Sequence, residues 1–156
     1  MLLAKGLIKV INMKIYMDNC CFNRPFDDQS QLRIKLESEA KLKIQEEIRA
    51  GRLGMVWSYI IDYENSKNPF AERKKQILVW KKYAILDIQE NTEIIEKANS
   101  LSRKGMRKMD SLHIACAIYS QCDFFLTTDD KVLKKSDIIE EINIVDPFGF
   151  IKEVSL

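Results

Sequence analysis

Residues 124–130 read Phe124-Phe125-Leu126-Thr127-Thr128-Asp129-Asp130. The β-favouring run from Phe124 to Thr127 predicts a strand, and an acid, Asp129, follows within two residues of its end. The same arrangement stands near the start of the chain, where Lys14-Ile15-Tyr16-Met17 leads directly into Asp18-Asn19. Three more strand-like runs occur: Met55-Val56-Trp57, Ile85-Leu86-Asp87-Ile88 and Ile142-Asn143-Ile144-Val145, the last closed by Asp146-Pro147.

Helical patterns fill the gaps between these runs. Leu32, Leu36, Ala40, Ile44 and Ile48 recur every four residues and predict an inward stripe on a helix over 31–50, stopped by Gly51. Residues 58–64 read as helical. Asn68-Pro69 breaks that helix and is expected to open the next with Pro69 in its first turn, Ile77, Trp80 and Ala84 facing inward. A helix over 92–104 buries Ile94, Ile95, Ala98 and Leu101 and ends at Gly105. Asp110 is expected to open a further helix, so apolar through Leu112, Ile114, Ala115, Ala117 and Ile118 that it must be deeply buried. Alternating strands and helices predict an α/β fold: a parallel five-stranded sheet between helical layers, with ligands outside the carboxyl ends of the strands.

The bulk numbers fit one such domain. The chain has 156 residues, 46% of them hydrophobic, enough for a core of its own. A net charge of +2, from 25 basic and 23 acidic side chains, permits nucleic-acid binding without demanding it. Cys20, Cys21, Cys116 and Cys122 lack zinc-site spacing and read as reduced thiols in or near the core. No apolar run reaches the ~18 residues of a membrane span and no signal-like segment stands out, so a cytoplasmic location is expected. Residues 1–12 read as an upstream extension, and 13–156 as the single domain.

The sheet edge is where chemistry is expected. Asp18 ends the first strand, Glu64 lies on the helix leaving the second, and Asp129 follows the fourth, so a parallel sheet puts all three on one edge. Asp110 joins them if its helix starts beside that edge. Carboxylates gathered so closely repel one another unless a cation lies between them. A small set of hard oxygen donors suits Mg²⁺ or Mn²⁺, and such ions assist phosphodiester hydrolysis. Asp62, Asp87, Asp123 and Asp130 are rivals that periodicity alone does not rank. Asp62, however, points roughly 200° around its helix from Glu64, so the two cannot serve one site. Taken singly, Asp18 also reads as a turn residue and Asp110 as a helix cap.

Other chemistries lose support. A single histidine, His113, cannot supply both acid and base for a metal-free ribonuclease, and on its apolar helix it reads as a packed, hydrogen-bonded side chain. There is no GxSxG, GxGxxG or GxxxxGK[ST], so serine-hydrolase, dinucleotide and P-loop readings lose support. Arg103, Lys104, Arg107 and Lys108 precede Asp110 and read equally as phosphate contacts or as a solvated loop. Glu72-Arg73-Lys74-Lys75 reads as an exposed helix face.

Four stretches are similar to the PIN domain, and within it to the compact toxins of VapBC toxin–antitoxin pairs. They are Met13 to Asn19; Ser58 with Glu64 six residues on; Met109-Asp110-Ser111-Leu112-His113-Ile114-Ala115; and Phe125 to Lys131. The resemblance covers roughly residues 13–147 and implies a three-layer α/β/α sandwich, often dimeric. It implies an endoribonuclease dependent on Mg²⁺ or Mn²⁺, with RNA as substrate and an antitoxin protein as partner. By position, the metal-binding and catalytic acids would be Asp18, Glu64, Asp110 and Asp129. Asn19 or Ser58 would stand beside the metal, and Thr127 would hold the strand-four acid. Apart from the resemblance, Arg107 and Lys108 are expected to help hold RNA because they stand just before Asp110. The tandem Cys20-Cys21, followed by Phe22-Asn23-Arg24-Pro25-Phe26, departs from a typical toxin and suggests a separate subgroup. The competing reading is a PIN-like module that binds RNA or protein without cutting it.

Because the patterned sequence starts at Met13, a chain beginning there should melt within a few degrees of the full-length protein. A collapse of expression or melting temperature would show that residues 1–12 are integral to the domain.

Overall fold

The computed structural model describes residues 13–156; the expected extension 1–12 lies outside the described residues. Strands β1 (Lys14–Met17), β2 (Gly54–Ser58), β3 (Leu86–Ile88), β4 (Phe124–Leu126) and β5 (Asn143–Val145) form one sheet in the order β3-β2-β1-β4-β5. Every neighbouring pair is parallel. The helices are α1 (Asn19–Asn23), α2 (Leu32–Arg49), α3 (Tyr59–Ser66), α4 (Ala71–Val79), α5 (Thr92–Arg103), α6 (Lys108–Tyr119), α7 (Asp130–Leu133) and α8 (Pro147–Val154).

Side chains alternate across a strand, so adjacent residues of β4 reveal what covers each face. Phe124 packs edge-on against Phe150 of α8, which itself lies against α2. Phe125 points the other way and stacks on Tyr16 of β1, whose ring meets His113 of α6. Helix α6 in turn packs closely on α5. The sheet is therefore sandwiched between a layer containing α2 and α8 and a layer containing α5 and α6, the three-layer α/β/α arrangement. Burial on both faces explains why the central strands read as continuous apolar runs rather than alternating ones. Chain order reverses between β1 and β4: β2 and β3 lie to one side, β5 to the other. Ligands of open parallel sheets bind at such a reversal.

The elements begin and end for local reasons. Gly51 and Gly105 follow α2 and α5 with positive φ of 74° and 98°, a conformation that a Cβ penalises. Ser58 caps α3 by accepting the Ile61 N–H, and Asn91 caps α5 by accepting that of Ile94.

Several expectations are corrected here. Helix α4 begins at Ala71, not at Pro69, because Asn68 Oδ1 accepts the Phe70 N–H and holds a turn across those residues. Helix α6 begins at Lys108 with Arg107 as its cap residue, so Asp110 lies inside the first turn rather than opening the helix. Leu32 and Leu36 are exposed, whereas the stripe holds from Ala40 onward; the first turns of α2 bury Glu37 and Ser38 instead. Arg73 is not a free surface charge: its guanidinium lies over the rings of Phe26 and Phe70 and donates to the Phe26 carbonyl. After Asp146 accepts the Gly149 N–H, the chain continues into α8, an element the sequence reading did not include. Among the described residues, no helix is long and apolar enough to cross a membrane.

Candidate functional site

The carboxyl ends of β1 and β4 are held side by side by Met17 opposite Leu126, and the Asp18 N–H donates to the Leu126 carbonyl at 2.9 Å. This fixes where both strands discharge their acids. Thr127 ties them together: its hydroxyl donates to Asp18 Oδ2 at 3.0 Å and accepts the Asp129 N–H at 3.1 Å. The one Thr127 hydroxyl thus grips the carboxylate of the strand-one acid and the backbone N–H of the strand-four acid. The tandem cysteines reinforce the same junction. Cys21 donates to the Leu126 carbonyl, and Cys20 Sγ accepts the Thr128 N–H.

Four acids surround one cleft there. Asp18, Glu64, Asp110 and Asp129 line a cavity of about 360 Å³ together with Asn19, Cys20, Arg107 and Met109. The rival acids are engaged elsewhere. Asp62 accepts from Trp57 Nε1 and Lys81, Asp87 lies 3.5 Å from Lys81, Asp123 accepts the Lys14 N–H, and Asp130 is forked by Arg33.

The charges in the cleft are compensated in two halves. In the inner half, His113 Nε2 donates to Glu64 and stands 3.8 Å from Asp18. His113 Nδ1 meets the Tyr16 hydroxyl at 2.5 Å, and Tyr16 in turn meets Ser58 Oγ at 2.6 Å. Burial alone would lower the His113 pKa, but the hydrogen bond to Glu64 and the charges of Asp18, Glu64 and Asp110 outweigh it and raise the value above that of an ordinary imidazole. Burial pushes Asp18 above the usual carboxylate range, Glu64 and Asp110 push the same way, and His113 and Thr127 only partly oppose them. In the outer half, Arg107 donates to both Asp110 and Asp129. Burial would raise Asp129, but this guanidinium, the Lys131 N–H and the Lys131 charge hold it below the usual range.

The sequence reading of His113 as packed and hydrogen-bonded agrees with its complete burial, yet its partners are the site acids. Asp18, Glu64 and His113 each offer a ligand atom, all within 4.8 Å of one another. Ser58 is a step further back, reaching the acids only through Tyr16 and His113. Asn19 lines the cleft, and its buried Oδ1 has no hydrogen-bond partner among the described residues. Lys108 faces a neighbouring groove with Tyr59 and Leu112 instead of the acidic cleft. Three lysines that the sequence reading did not single out, Lys131, Lys134 and Lys135, join Arg107 and Asp110 around an adjoining hollow. Their only signal was spacing on the short turn that follows Asp129.

The donor set fits a hard divalent ion. Carboxylates from separate elements converge, and a buried amide oxygen without a donor lies beside them. No family model matches the sequence, and no curated protein does. Among solved structures, a chain of VapBC2 from Rickettsia felis, crystallised bound to a DNA fragment from their promoter, matches with a TM-score of 0.55 at 14% identity. The match covers 86% of this chain and 98% of the other. At that identity the likeness shows a shared fold, the three-layer α/β/α sandwich with its parallel five-stranded sheet.

Like charges no more than 4.8 Å apart repel by roughly 3–4 kcal/mol at an effective dielectric of about 20. The raised Asp18 value means that the fold favours the protonated acid. That contribution is present below about pH 4 and is lost as pH rises through the folded value. Without metal at pH 7, Asp18→Asn should therefore raise the melting temperature by about 2–4 °C, or about 1 kcal/mol for a chain of this size. Asp129→Asn, which loses its Arg107 partner, should show no gain. Mn²⁺ should stabilise wild type more than Asp18→Asn. Melting curves in EDTA and in Mn²⁺ test this; a lower melting point for Asp18→Asn in EDTA, with equal Mn²⁺ shifts, would contradict it.

Proposed function

We propose that this protein is an endoribonuclease that hydrolyses RNA phosphodiester bonds with Mg²⁺ or Mn²⁺ held by Asp18, Glu64, Asp110 and Asp129. The observation that carries this reading is the single cleft at the strand-order reversal into which all four carboxylates open. A non-catalytic binding module has no use for such crowding, which costs stability and invites a cation.

The residues divide the work. Asp18 is fixed by Thr127, and Glu64 is oriented by His113, itself seated on Tyr16 and Ser58. These contacts hold two ligating groups before any ion arrives, which lowers the cost of ordering them. Asn19 Oδ1 is a neutral acceptor suited to the ion or to its water. A bound divalent ion supplies the positive charge that polarises water and shields the scissile phosphate. Arg107, half-exposed at the rim, neutralises Asp110 and Asp129 in the metal-free site and is placed to receive a phosphate. Lys131, Lys134 and Lys135 extend that basic rim and offer a path for the RNA backbone. Lys108 is the weaker contact of the sequence-derived pair.

The structural neighbour comes from a VapBC complex, which supports an antitoxin protein as a partner of this chain as well.

The reaction should require metal. A mixed RNA pool should be cut with Mn²⁺ and left intact with EDTA, while Asp110→Asn should lose nearly all activity and remain folded by circular dichroism. Cleavage that survives EDTA, or an Asp110→Asn protein as fast as wild type, would overturn the mechanism; no cleavage under any condition would favour the binding-module reading.

A further inference from the structure

A second cavity, of about 450 Å³, lies on the α2 flank and shares no lining residue with the acidic cleft. One wall is α2, which presents Lys41, Gln45 and Arg49 at successive turns. The facing wall is aromatic, built from Phe22 of α1 with Trp80 and Tyr83 just beyond α4. No aspartate or glutamate is among its lining residues.

One of the three polar groups on α2, Gln45, has a buried donor without a partner, and a second, Lys41, is nearly as deeply placed beside aromatic rings. Lys41 is 3% exposed, and among the described residues it makes no ion pair and no hydrogen bond. Its ammonium lies 5.2 Å from the Phe22 centroid and 5.8 Å from that of Trp80. Gln45, one turn on, is 5% exposed, and its Nε2 donates to nothing. Burial draws the Lys41 amine down to about 7, opposed only by the neighbouring Cys21 thiol. Buried donors of this kind are rare without an acceptor, and a lysine so deeply placed is ordinarily paired. Arg49, at the mouth, lies with its guanidinium 5.1 Å over the Trp80 ring and adds a second cation.

We propose that this cavity binds a small organic acid: a carboxylate seated on Lys41 and Gln45, with a flat apolar body between Phe22, Trp80 and Tyr83. Two donors one helical turn apart match the two oxygens of a carboxylate. Inorganic phosphate has no flat body to lie between the rings, so it forfeits the apolar burial that the aromatic wall offers. The volume lies within the range of ordinary small-molecule pockets.

The test uses the full chain and NMR titration with phenylacetate and indole-3-acetate, each against its neutral primary amide. Each acid should bind at least about tenfold more tightly than its amide and should shift the Trp80 indole N–H in preference to that of Trp57. Lys41→Met, which keeps the length and removes the charge, should abolish the preference for the acid. Inorganic phosphate should bind no better than the amides. Acid and amide binding alike, neither binding at millimolar concentration, phosphate matching the acids, or a preference that survives Lys41→Met would each overturn the proposal. The acid–amide comparison on wild type decides the matter even if Lys41→Met fails to fold. None of these readouts depends on RNA cleavage.

Discussion

Carboxylate repulsion at one edge of the sheet is the constraint around which this molecule is arranged. Parallel strands discharge their ends on the same side, and the reversal of strand order between β1 and β4 opens a gap there. Asp18 is driven into that gap by its position, one residue past β1, and is almost wholly buried. Its charge is then a problem that the neighbouring residues answer. Thr127 donates to it, His113 approaches it while holding Glu64, and Arg107 occupies the two outer acids. The compensation is incomplete, since burial and like charges still leave Asp18 raised. A site that remains short of positive charge after all its internal partners are counted is a site poised for a cation.

Two routes of support reach this edge from opposite layers. From the α6 side, the chain Ser58–Tyr16–His113–Glu64 runs outward from the core, its first three members buried and Glu64 partly exposed at the cleft. Its hydrogen bonds strengthen in low dielectric and leave little freedom for the Glu64 carboxylate. From the α1 side, Cys20 and Cys21 bond the backbone at the end of β4. Cys20 and Cys21 therefore act structurally, as two small thiols that let α1 sit against the end of β4, the strand that Asp129 follows.

Much of this was legible in the sequence. Strands bounded by Gly, Pro or acids, and helices ended at Gly51 and Gly105, gave the element order, and alternation gave the parallel sheet. The position of Glu64 relative to Asp62 followed from helical angle alone; in the fold Asp62 serves Trp57 and Lys81. What was not legible depended on long-range placement. Helix α6 is apolar on nearly every face, so its periodicity could not indicate that the turn bearing His113 meets Asp18 and Glu64. Arg107 read as one of several basic residues before a helix, because nothing local shows that Asp129, 22 residues away, would come within reach. The stripe on α2 failed at Leu32 and Leu36 and omitted Lys41 and Gln45, since a long polar side chain can be buried by aromatic neighbours that the local pattern does not contain.

The central claim is that the acidic cleft holds a divalent ion through these four carboxylates. Counting bound Mn²⁺ by electron paramagnetic resonance tests it without any assumption about substrate. Wild type should bind Mn²⁺ saturably, and Asp18→Asn and Glu64→Gln should each weaken that binding by an order of magnitude or more, about 1.4 kcal/mol at the least. Wild type that leaves Mn²⁺ free in solution, or variants that bind it as tightly as wild type, would contradict the account.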